Sequence, residues 1–274
     1  MAYARRVRAR PTPSRRRTSW AVAAVAVAAI AVVAAVAWRP WASPVEPAAP
    51  VAAGDDAVTA PASLVLPQNP TVLIFGDSWT YGSAASDPAL GYAYVIAEEA
   101  GWTTVVDGVR GSGYLKPGID GPSFGDRIAA LDPAVAPDLV IVQGSINDRK
   151  QGASGYAEAV DAAWDDLARI YPGAQIVVLG PAPQVLPVEA ETARIDRDLR
   201  ERAGVRGWWY ISPIADDWIT PGNYLDVIDT SEIGRDHPST GGHRYLAQRL
   251  ADAVSAITAP PVVAADVAAD PLGR

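Results

Sequence analysis

Five short apolar runs recur along the middle of the chain, each rich in β-branched or aromatic residues and bounded by Gly, Pro or polar residues. They are TVLIF (71–75), TTVVD (103–107), DLVIVQ (138–143), QIVVLG (175–180) and WWYIS (208–212). Runs that are apolar at consecutive positions are typical of strands buried on both faces of a parallel sheet. The pattern therefore predicts five buried β-strands.

Longer amphipathic stretches separate these runs. Their apolar residues follow helical spacing over 89–100, 124–131, 154–170, 188–203 and 240–257. Strands that alternate with helices predict an α/β fold, with a parallel sheet covered by helices on both faces. In such sheets the reactive groups gather in loops at the carboxyl ends of the strands.

The N-terminal pattern is different. The 19 residues from Trp20 to Trp38 carry no charge, and as a helix they would rise about 28 Å, close to the thickness of a bilayer core. Seven arginines and no acid precede them. By the positive-inside rule, we predict a basic cytoplasmic arm (1–19), a transmembrane signal anchor (20–38) and a location outside the cytoplasm for the rest. Cleavage at the small residues 35–37 would instead give a secreted protein.

Composition defines the remaining segments. Residues 39–69 are rich in Pro and Ala and predict a linker. Residues 259–274 predict a disordered tail, which leaves 70–258 as the folded domain.

From residue 39 onward the chain has 16 basic and 31 acidic side chains, a net charge of −15, which argues against a nucleic-acid partner. The absence of cysteine excludes disulfides, thiolate metal sites and a Cys nucleophile.

Groups suited to acyl-transfer chemistry follow the predicted strands. Ser78 comes directly after the first strand and is either a nucleophile or a helix cap. Its base is one of two histidines; His237 precedes a proline in a loop and is favoured over His243, which begins a helix. Ser123, in GPSFG, fits the G-x-S-x-G pattern of α/β-hydrolases but lacks the strand that this pattern needs before it.

Four blocks in this order resemble the SGNH, or GDSL-type, hydrolase family: FGDSWTYG, the glycines of DGVRGSG, GSIND and HPSTGGH. The resemblance spans about residues 71–257. It implies a flavodoxin-like three-layer α/β/α sandwich around a five-stranded parallel sheet, serine esterase chemistry, and no metal or organic cofactor.

The resemblance also implies roles for single residues. Ser78 matches the nucleophile and His237 the general base. The N–H groups of Ser78 and Gly111 and the side-chain amide of Asn147 match the oxyanion hole. Gly108 and Gly113 are the neighbouring alternatives to Gly111.

Two positions depart from the family pattern. Ser145 stands where the third block usually has glycine, and Gly234 stands where an aspartate usually orients the histidine. The sequence leaves the orienting group open among a backbone carbonyl and four acids, which are Asp226, Asp229, Glu232 and Asp236.

These features predict a membrane-anchored serine esterase outside the cytoplasm that hydrolyses O-acyl or O-acetyl esters through an acyl-enzyme. The expected partners are an ester-bearing small molecule, a lipid or a cell-envelope glycan, and the oligomeric state stays open. O-acyl transfer to an envelope glycan would use the same residues, and a non-catalytic glycan-binding module is the alternative from another class. Trp218, in the loop before His237, is a further candidate for substrate contact.

Overall fold

A computed structural model describes residues 60–259. The predicted basic arm, the predicted transmembrane segment, residues 39–59 of the predicted linker and residues 260–274 lie outside the described part. Among residues 60–259, no helix is both long enough and apolar enough to cross a membrane.

The predicted strands are present, each within two residues of its expected ends. They are β1 (Thr71–Gly76), β2 (Thr103–Gly108), β3 (Leu139–Gln143), β4 (Gln175–Leu179) and β5 (Trp209–Ile211). All neighbouring pairs are parallel, and the order across the sheet is β2-β1-β3-β4-β5. This order reverses direction at β1, as in flavodoxin-like sheets, and confirms the predicted fold class.

The predicted helices are also present, together with two short ones. They are α1 (Ser78–Tyr81), α2 (Tyr92–Ala100), α3 (Phe124–Ala129), α4 (Tyr156–Ile170), α5 (Ala190–Val205), α6 (Tyr224–Val227) and α7 (Thr240–Ile257). The one-turn helices α1 and α6 lack the length that a periodic pattern needs, so the apolar pattern does not reveal them. The described residues also form a two-stranded antiparallel hairpin, β6 (Ile228–Asp229) and β7 (His237–Pro238), and three short 3₁₀ helices, Pro88–Leu90, Pro133–Val135 and Ile146–Lys150.

Side chains of β1 alternate between the two faces of the sheet. Val72 and Ile74 pack with α2 and α7, whereas Leu73 and Phe75 pack with α3, α4 and α5. All four side chains are buried. The sheet is therefore the middle layer of three, which explains why its strands are apolar at consecutive positions.

The chain before β1 also packs against the domain. Leu64 is buried, its N–H donates to the Ile257 carbonyl at 2.9 Å, and its own carbonyl accepts from the Ala259 N–H at 2.8 Å. These bonds join the chain that enters the domain to the end of α7.

The carboxyl edge of the sheet gathers the loops that carry the predicted chemistry. Strands β1, β2 and β3 end there next to one another, followed by Ser78, the 109–122 loop and the loop with Asn147. The β6–β7 hairpin brings His237 to the same edge, although this residue lies 159 positions after Ser78. Parallel strands share their direction, so residues that follow different strands meet at one edge.

Candidate active site

Ser78 is the first residue of α1, at the turn from strand to helix. Asp77 is the cap of this helix, since its Oδ1 accepts from the Trp79 N–H at 3.0 Å. The capping role that the sequence allowed for Ser78 is therefore filled by its neighbour. Gly76 permits the tight turn, because a Cβ there would collide with the Thr80 side chain. Ser78 is 6% exposed and lines an open cleft.

His237 faces Ser78 across this cleft. Its Nε2 lies 2.9 Å from the Ser78 Oγ, within hydrogen-bond distance. Strand pairing holds the histidine in place, because β7 pairs with β6 and sets His237 opposite Asp229. The structure thus brings together the two residues predicted to act as nucleophile and base.

Two main-chain carbonyls orient the imidazole. The Nδ1 of His237 lies 3.0 Å from the Gly234 oxygen and 2.9 Å from the Arg235 oxygen. A carbonyl oxygen accepts hydrogen bonds and cannot donate, so Nδ1 must carry the proton. The lone pair is therefore on Nε2, where it can accept the proton of the Ser78 hydroxyl.

None of the four acids that the sequence offered forms a hydrogen bond or an ion pair with the imidazole ring. Asp229, for example, accepts from the Ser231 N–H at 2.9 Å through its Oδ1. An aspartate at position 234 does not fit this backbone, because a Cβ there would collide with the main chain and side chain of Asp229. Among the alternatives that the sequence left open, the structure thus selects the backbone carbonyl.

The two histidines have different environments. Burial lowers the pKa of His237 below its ordinary value of 6.5, while the two carbonyl bonds and the charge of Asp236 raise it and the charge of Arg149 lowers it further. His243 is fully buried, where its Nδ1 accepts from the Tyr92 N–H at 3.2 Å and its Nε2–H donates to the Ser83 oxygen at 3.0 Å. Burial lowers the pKa of His243 to about 4. With both nitrogens occupied, His243 is a neutral packing residue.

Ser123 has no part in this arrangement. It precedes α3, and its hydroxyl donates to the Asp126 carboxylate at 2.9 Å.

Trp218 is 2% exposed, packs in the core and does not line the cleft, so the prediction that it contacts substrate is wrong. The sequence around Trp218 is the same whether its loop covers the core or lines the site, so the sequence could not decide between the two.

A hydrogen bond fixes the peptide group between Arg110 and Gly111. Its carbonyl oxygen, which belongs to Arg110, accepts from the Ile119 N–H at 2.7 Å. The C=O and N–H of a trans peptide point in opposite directions, so this bond also fixes the Gly111 N–H. Gly111 adopts a φ of +72°, which favours glycine. Within residues 60–259, the N–H groups of Gly111 and Ser78 have no hydrogen-bond acceptor, as an oxyanion hole requires.

Ser145, one of the two departures from the family pattern, connects the loops of the predicted oxyanion hole. Its buried hydroxyl donates to the Ser112 carbonyl at 3.0 Å and accepts from the Asn147 N–H at 3.1 Å. The Asn147 amide donates to the same Ser112 oxygen at 3.0 Å, and it lies 3.3 Å from the Asp77 Oδ2. The second contact is longer than a typical N–H···O bond, so this amide hydrogen is the weakly held one.

A buried carboxylate outside the predicted set joins the same two loops. Asp148 is fully buried and accepts from the Tyr114 N–H at 2.8 Å and from the Leu115 N–H at 3.0 Å. Burial raises its pKa, and these bonds oppose the shift. Because Asp148 follows Asn147 directly, its anchorage in the 113–116 segment also positions the Asn147 side chain. Only its place in the GSIND block hinted at this role.

Asp77, next to Ser78 in the chain, is fully buried. Burial raises its pKa to about 6, although the Trp79 N–H and the charge of Arg127 both oppose the shift. The Arg127 guanidinium is itself buried, where it donates to the Gly76 oxygen at 3.0 Å and pairs with Asp107 at 2.7 Å. Arg127 therefore links the ends of β1 and β2, through a hydrogen bond to the first and an ion pair with the second, in addition to the strand pairing.

The cleft has a volume of about 680 Å³ and is lined by Ser78, Gly111, Asn147 and His237. Among residues 60–259, no three His, Cys, Asp or Glu side chains come together as ligands for a metal ion. The groups of the cleft that can take part in chemistry are a serine hydroxyl, an imidazole whose Nε2 faces it, and a set of N–H donors. This set suits nucleophilic attack on an ester and stabilisation of the resulting oxyanion.

Comparison with known proteins agrees with this chemistry. The model of the GDSL-like lipase/acylhydrolase family matches residues 74–257. The chain belongs to this family. The GDSL lipase Rv0518 of Mycobacterium tuberculosis is 31% identical over 209 residues, which cover 71% of this chain and 85% of that protein. As a GDSL-like acylhydrolase, the chain is an ester hydrolase.

Solved structures share the fold of this GDSL-like hydrolase at lower identity. An aryl esterase of M. smegmatis is 18% identical with a TM-score of 0.50, and the match covers 68% of this chain and 99% of that one. A family two carbohydrate esterase from Cellvibrio japonicus is 20% identical with a TM-score of 0.52, over 70% of this chain and 62% of that one.

Restoring the usual family aspartate should impair this GDSL-like hydrolase. We expect Gly234→Asp to lower kcat/KM for 4-nitrophenyl acetate by on the order of 100-fold, because relief of the collision with Asp229 moves the carbonyl that holds His237. Gly234→Ala is the matched control and should cause a comparable loss, since the collision begins at Cβ. A rise in activity for Gly234→Asp alone would show that a carboxylate is accepted there.

The pH dependence should follow the charges around His237, which must be neutral to act as a base. We expect kcat/KM to fall on the acidic side through an apparent pKa below 6.5. Asp236→Asn should move this limb to lower pH, because it removes a charge that raises the pKa of His237. Arg149→Gln should move it to higher pH, because it removes a charge that lowers this pKa. Shifts of the acidic limb in the same direction for both variants would contradict its assignment to His237.

Proposed function

We propose that this chain is a membrane-anchored serine esterase that acts outside the cytoplasm and hydrolyses carboxylic O-acyl esters through an acyl-enzyme on Ser78. The observation that supports the catalytic part is the 2.9 Å contact between Ser78 Oγ and His237 Nε2, on an imidazole whose other nitrogen is held by two carbonyls. A hydroxyl is a weak nucleophile until a base takes its proton, and this contact supplies the base.

In the first half of the reaction, Ser78 Oγ attacks the ester carbonyl carbon while its proton passes to His237 Nε2. The carbonyl oxygen becomes an oxyanion, which accepts from the N–H groups of Ser78 and Gly111. The Asn147 amide turns its weakly held hydrogen from Asp77 to the same oxyanion. Each such donor contributes a factor of about 10²–10³ to kcat.

Collapse of the tetrahedral intermediate breaks the bond to the leaving oxygen, which takes the proton from His237 Nε2 and departs as an alcohol. Water then attacks the acyl-enzyme and gives its proton to the same nitrogen. A second collapse returns that proton to Ser78 Oγ and releases the acid. Throughout, the carbonyls of Gly234 and Arg235 accept from Nδ1–H and stabilise the imidazolium, the role that a carboxylate usually has in a Ser-His-Asp triad.

Acetyl or other short acyl groups on a cell-envelope glycan are the substrates that we favour, with lipid esters as the alternative. The cleft is open and has a volume of about 680 Å³, which accommodates a ligand of several sugar units more readily than an enclosed acyl tunnel would. The carbohydrate esterase with a shared fold supports this choice by analogy only.

The proposed location rests on the sequence. Trp20 to Trp38 is long and apolar enough to span a bilayer, and the seven arginines before it favour a cytoplasmic N-terminus. The domain would then lie on the outer side, at the end of the Pro- and Ala-rich segment that follows the anchor.

Labelling tests the proposed nucleophile. The full chain should react with a fluorophosphonate probe and hydrolyse 4-nitrophenyl acetate, and Ser78→Ala should abolish the labelling and lower kcat by at least about 10³-fold. Ser123→Ala is the control and should keep both properties. Labelling that survives Ser78→Ala would assign the nucleophile to another residue, and an unlabelled but folded wild type would overturn the esterase mechanism.

Fractionation tests the anchor. We expect the full chain, produced in a bacterial host, to remain with the membrane after washing at high salt and alkaline pH, and its intact mass to include residues 1–37. Deletion of residues 1–38 should release the protein. Recovery of a shortened protein in the medium would instead support a cleaved signal peptide.

A further inference from the structure

Lysine is rare in this chain, and one of its two lysines lines the active-site cleft. The sequence contains 21 arginines but only Lys116 and Lys150. Lys150 is exposed at the end of the short 3₁₀ helix Ile146–Lys150. Lys116 is half-buried in the loop after β2 and lines the cleft with Ser78 and His237.

The Lys116 ammonium is held in place by one hydrogen bond and keeps further N–H groups that can donate. Its Nζ donates to the Gly111 carbonyl at 2.7 Å, which uses one of its three N–H groups. It forms no ion pair with any carboxylate in residues 60–259. Asp148 is the carboxylate whose pKa it lowers, yet the oxygens of Asp148 accept from the N–H groups of Tyr114 and Leu115. Two N–H groups of the ammonium therefore remain available beside the predicted oxyanion hole.

The charged side chains that line the cleft are mostly cationic. They comprise four cations and a single acid: Arg110, Lys116, Arg149, Arg235 and Glu232. Two of the cations have their own partners outside the lining, Asp120 at 2.6 Å from Arg110 and Glu189 at 2.9 Å from Arg149. The cleft thus contrasts with the rest of a chain whose net charge from residue 39 onward is −15.

We propose that Lys116 binds an anionic group on the substrate, so that the preferred esters are those of anionic molecules, such as an acylated acidic glycan. This inference rests on the esterase function proposed above. A charge-assisted hydrogen bond from an ammonium is about twice as strong as a neutral one, and its strength grows in a partly desolvated cleft. The Gly111 bond holds the ammonium still, so little side-chain entropy is lost when the anion binds.

A matched pair of esters isolates this contact. We would measure kcat/KM of the full chain for 4-acetoxybenzoate, which is anionic, and for 4-acetoxybenzamide, which is neutral and of the same shape. Lys116→Gln keeps a donor for the Gly111 carbonyl but removes the charge, and we expect the benzoate-to-benzamide ratio to fall roughly tenfold. Lys150→Gln removes the same charge from outside the cleft and should leave the ratio unchanged.

The ratio separates recognition from positioning. A loss that is equal for both esters would show that Lys116 only supports the Gly111 loop, and an equal fall in the ratio for Lys150→Gln would show a general charge effect; either result overturns the proposal. 4-Acetoxyphenyl phosphate, measured in the same way, distinguishes a preference for phosphate from one for carboxylate.

A binding measurement keeps the test independent of turnover. Titration of 4-hydroxybenzoate into the Ser78→Ala protein should show binding that weakens roughly tenfold when Lys116→Gln is added. If the wild type hydrolyses neither ester but this binding is seen, the esterase mechanism fails while the anion site stands. If both esters are hydrolysed and Lys116→Gln changes neither the ratio nor the binding, the anion site alone is refuted.

Discussion

The Nδ1–H of His237 donates to the carbonyl oxygens of Gly234 and Arg235, and this contact sets the tautomer of the imidazole on which the proposed mechanism depends. It places the lone pair on Nε2, opposite Ser78. The turn that presents these carbonyls has positive φ values at two successive non-glycine residues, Arg235 and Asp236. Such strain is often found at functional sites, where the surrounding structure must hold it. Here the β6–β7 pairing and the close packing of Gly234 against Asp229 do so.

The absence of the usual aspartate at position 234 therefore does not leave His237 without an orienting group. Two carbonyl dipoles hold the ring in the same tautomer that a carboxylate would select. They carry partial rather than full charge, so they raise the pKa of His237 without overcoming the effect of burial. A neutral base near neutral pH is the result. The absence of an aspartate at position 234 is the sequence feature that favours a non-catalytic glycan-binding module, and the two carbonyls remove this argument.

The geometry of the predicted oxyanion hole depends on a second set of contacts, between the loops after β2 and β3. Ser145 and Asp148 each reach from the β3 loop to main-chain groups of the β2 loop. Within the β2 loop, the Ile119 N–H donates to the Arg110 carbonyl and the Lys116 ammonium donates to the Gly111 carbonyl. All of these anchors accept from or donate to backbone atoms, so main-chain hydrogen bonds fix the geometry of the two loops. The Lys116 ammonium keeps two further N–H groups for the anion that we propose it binds.

The sequence by itself determined the three-layer fold and which predicted site residues meet at one edge of its sheet. Consecutive apolar residues in β1 reflect burial on both faces, and Ser78, Asn147 and His237 follow from a shared sheet edge and the family blocks. Only the tertiary structure decided that Asp77 caps α1, that His243 is a packing residue, and that carbonyls orient His237. Every residue has a main-chain carbonyl, so the pattern of side chains does not reveal which carbonyls will orient a histidine. That depends on the φ and ψ angles of the turn and on partners that are distant in sequence. Trp218 illustrates the same limit, because burial of a loop residue depends on elements far from it in sequence.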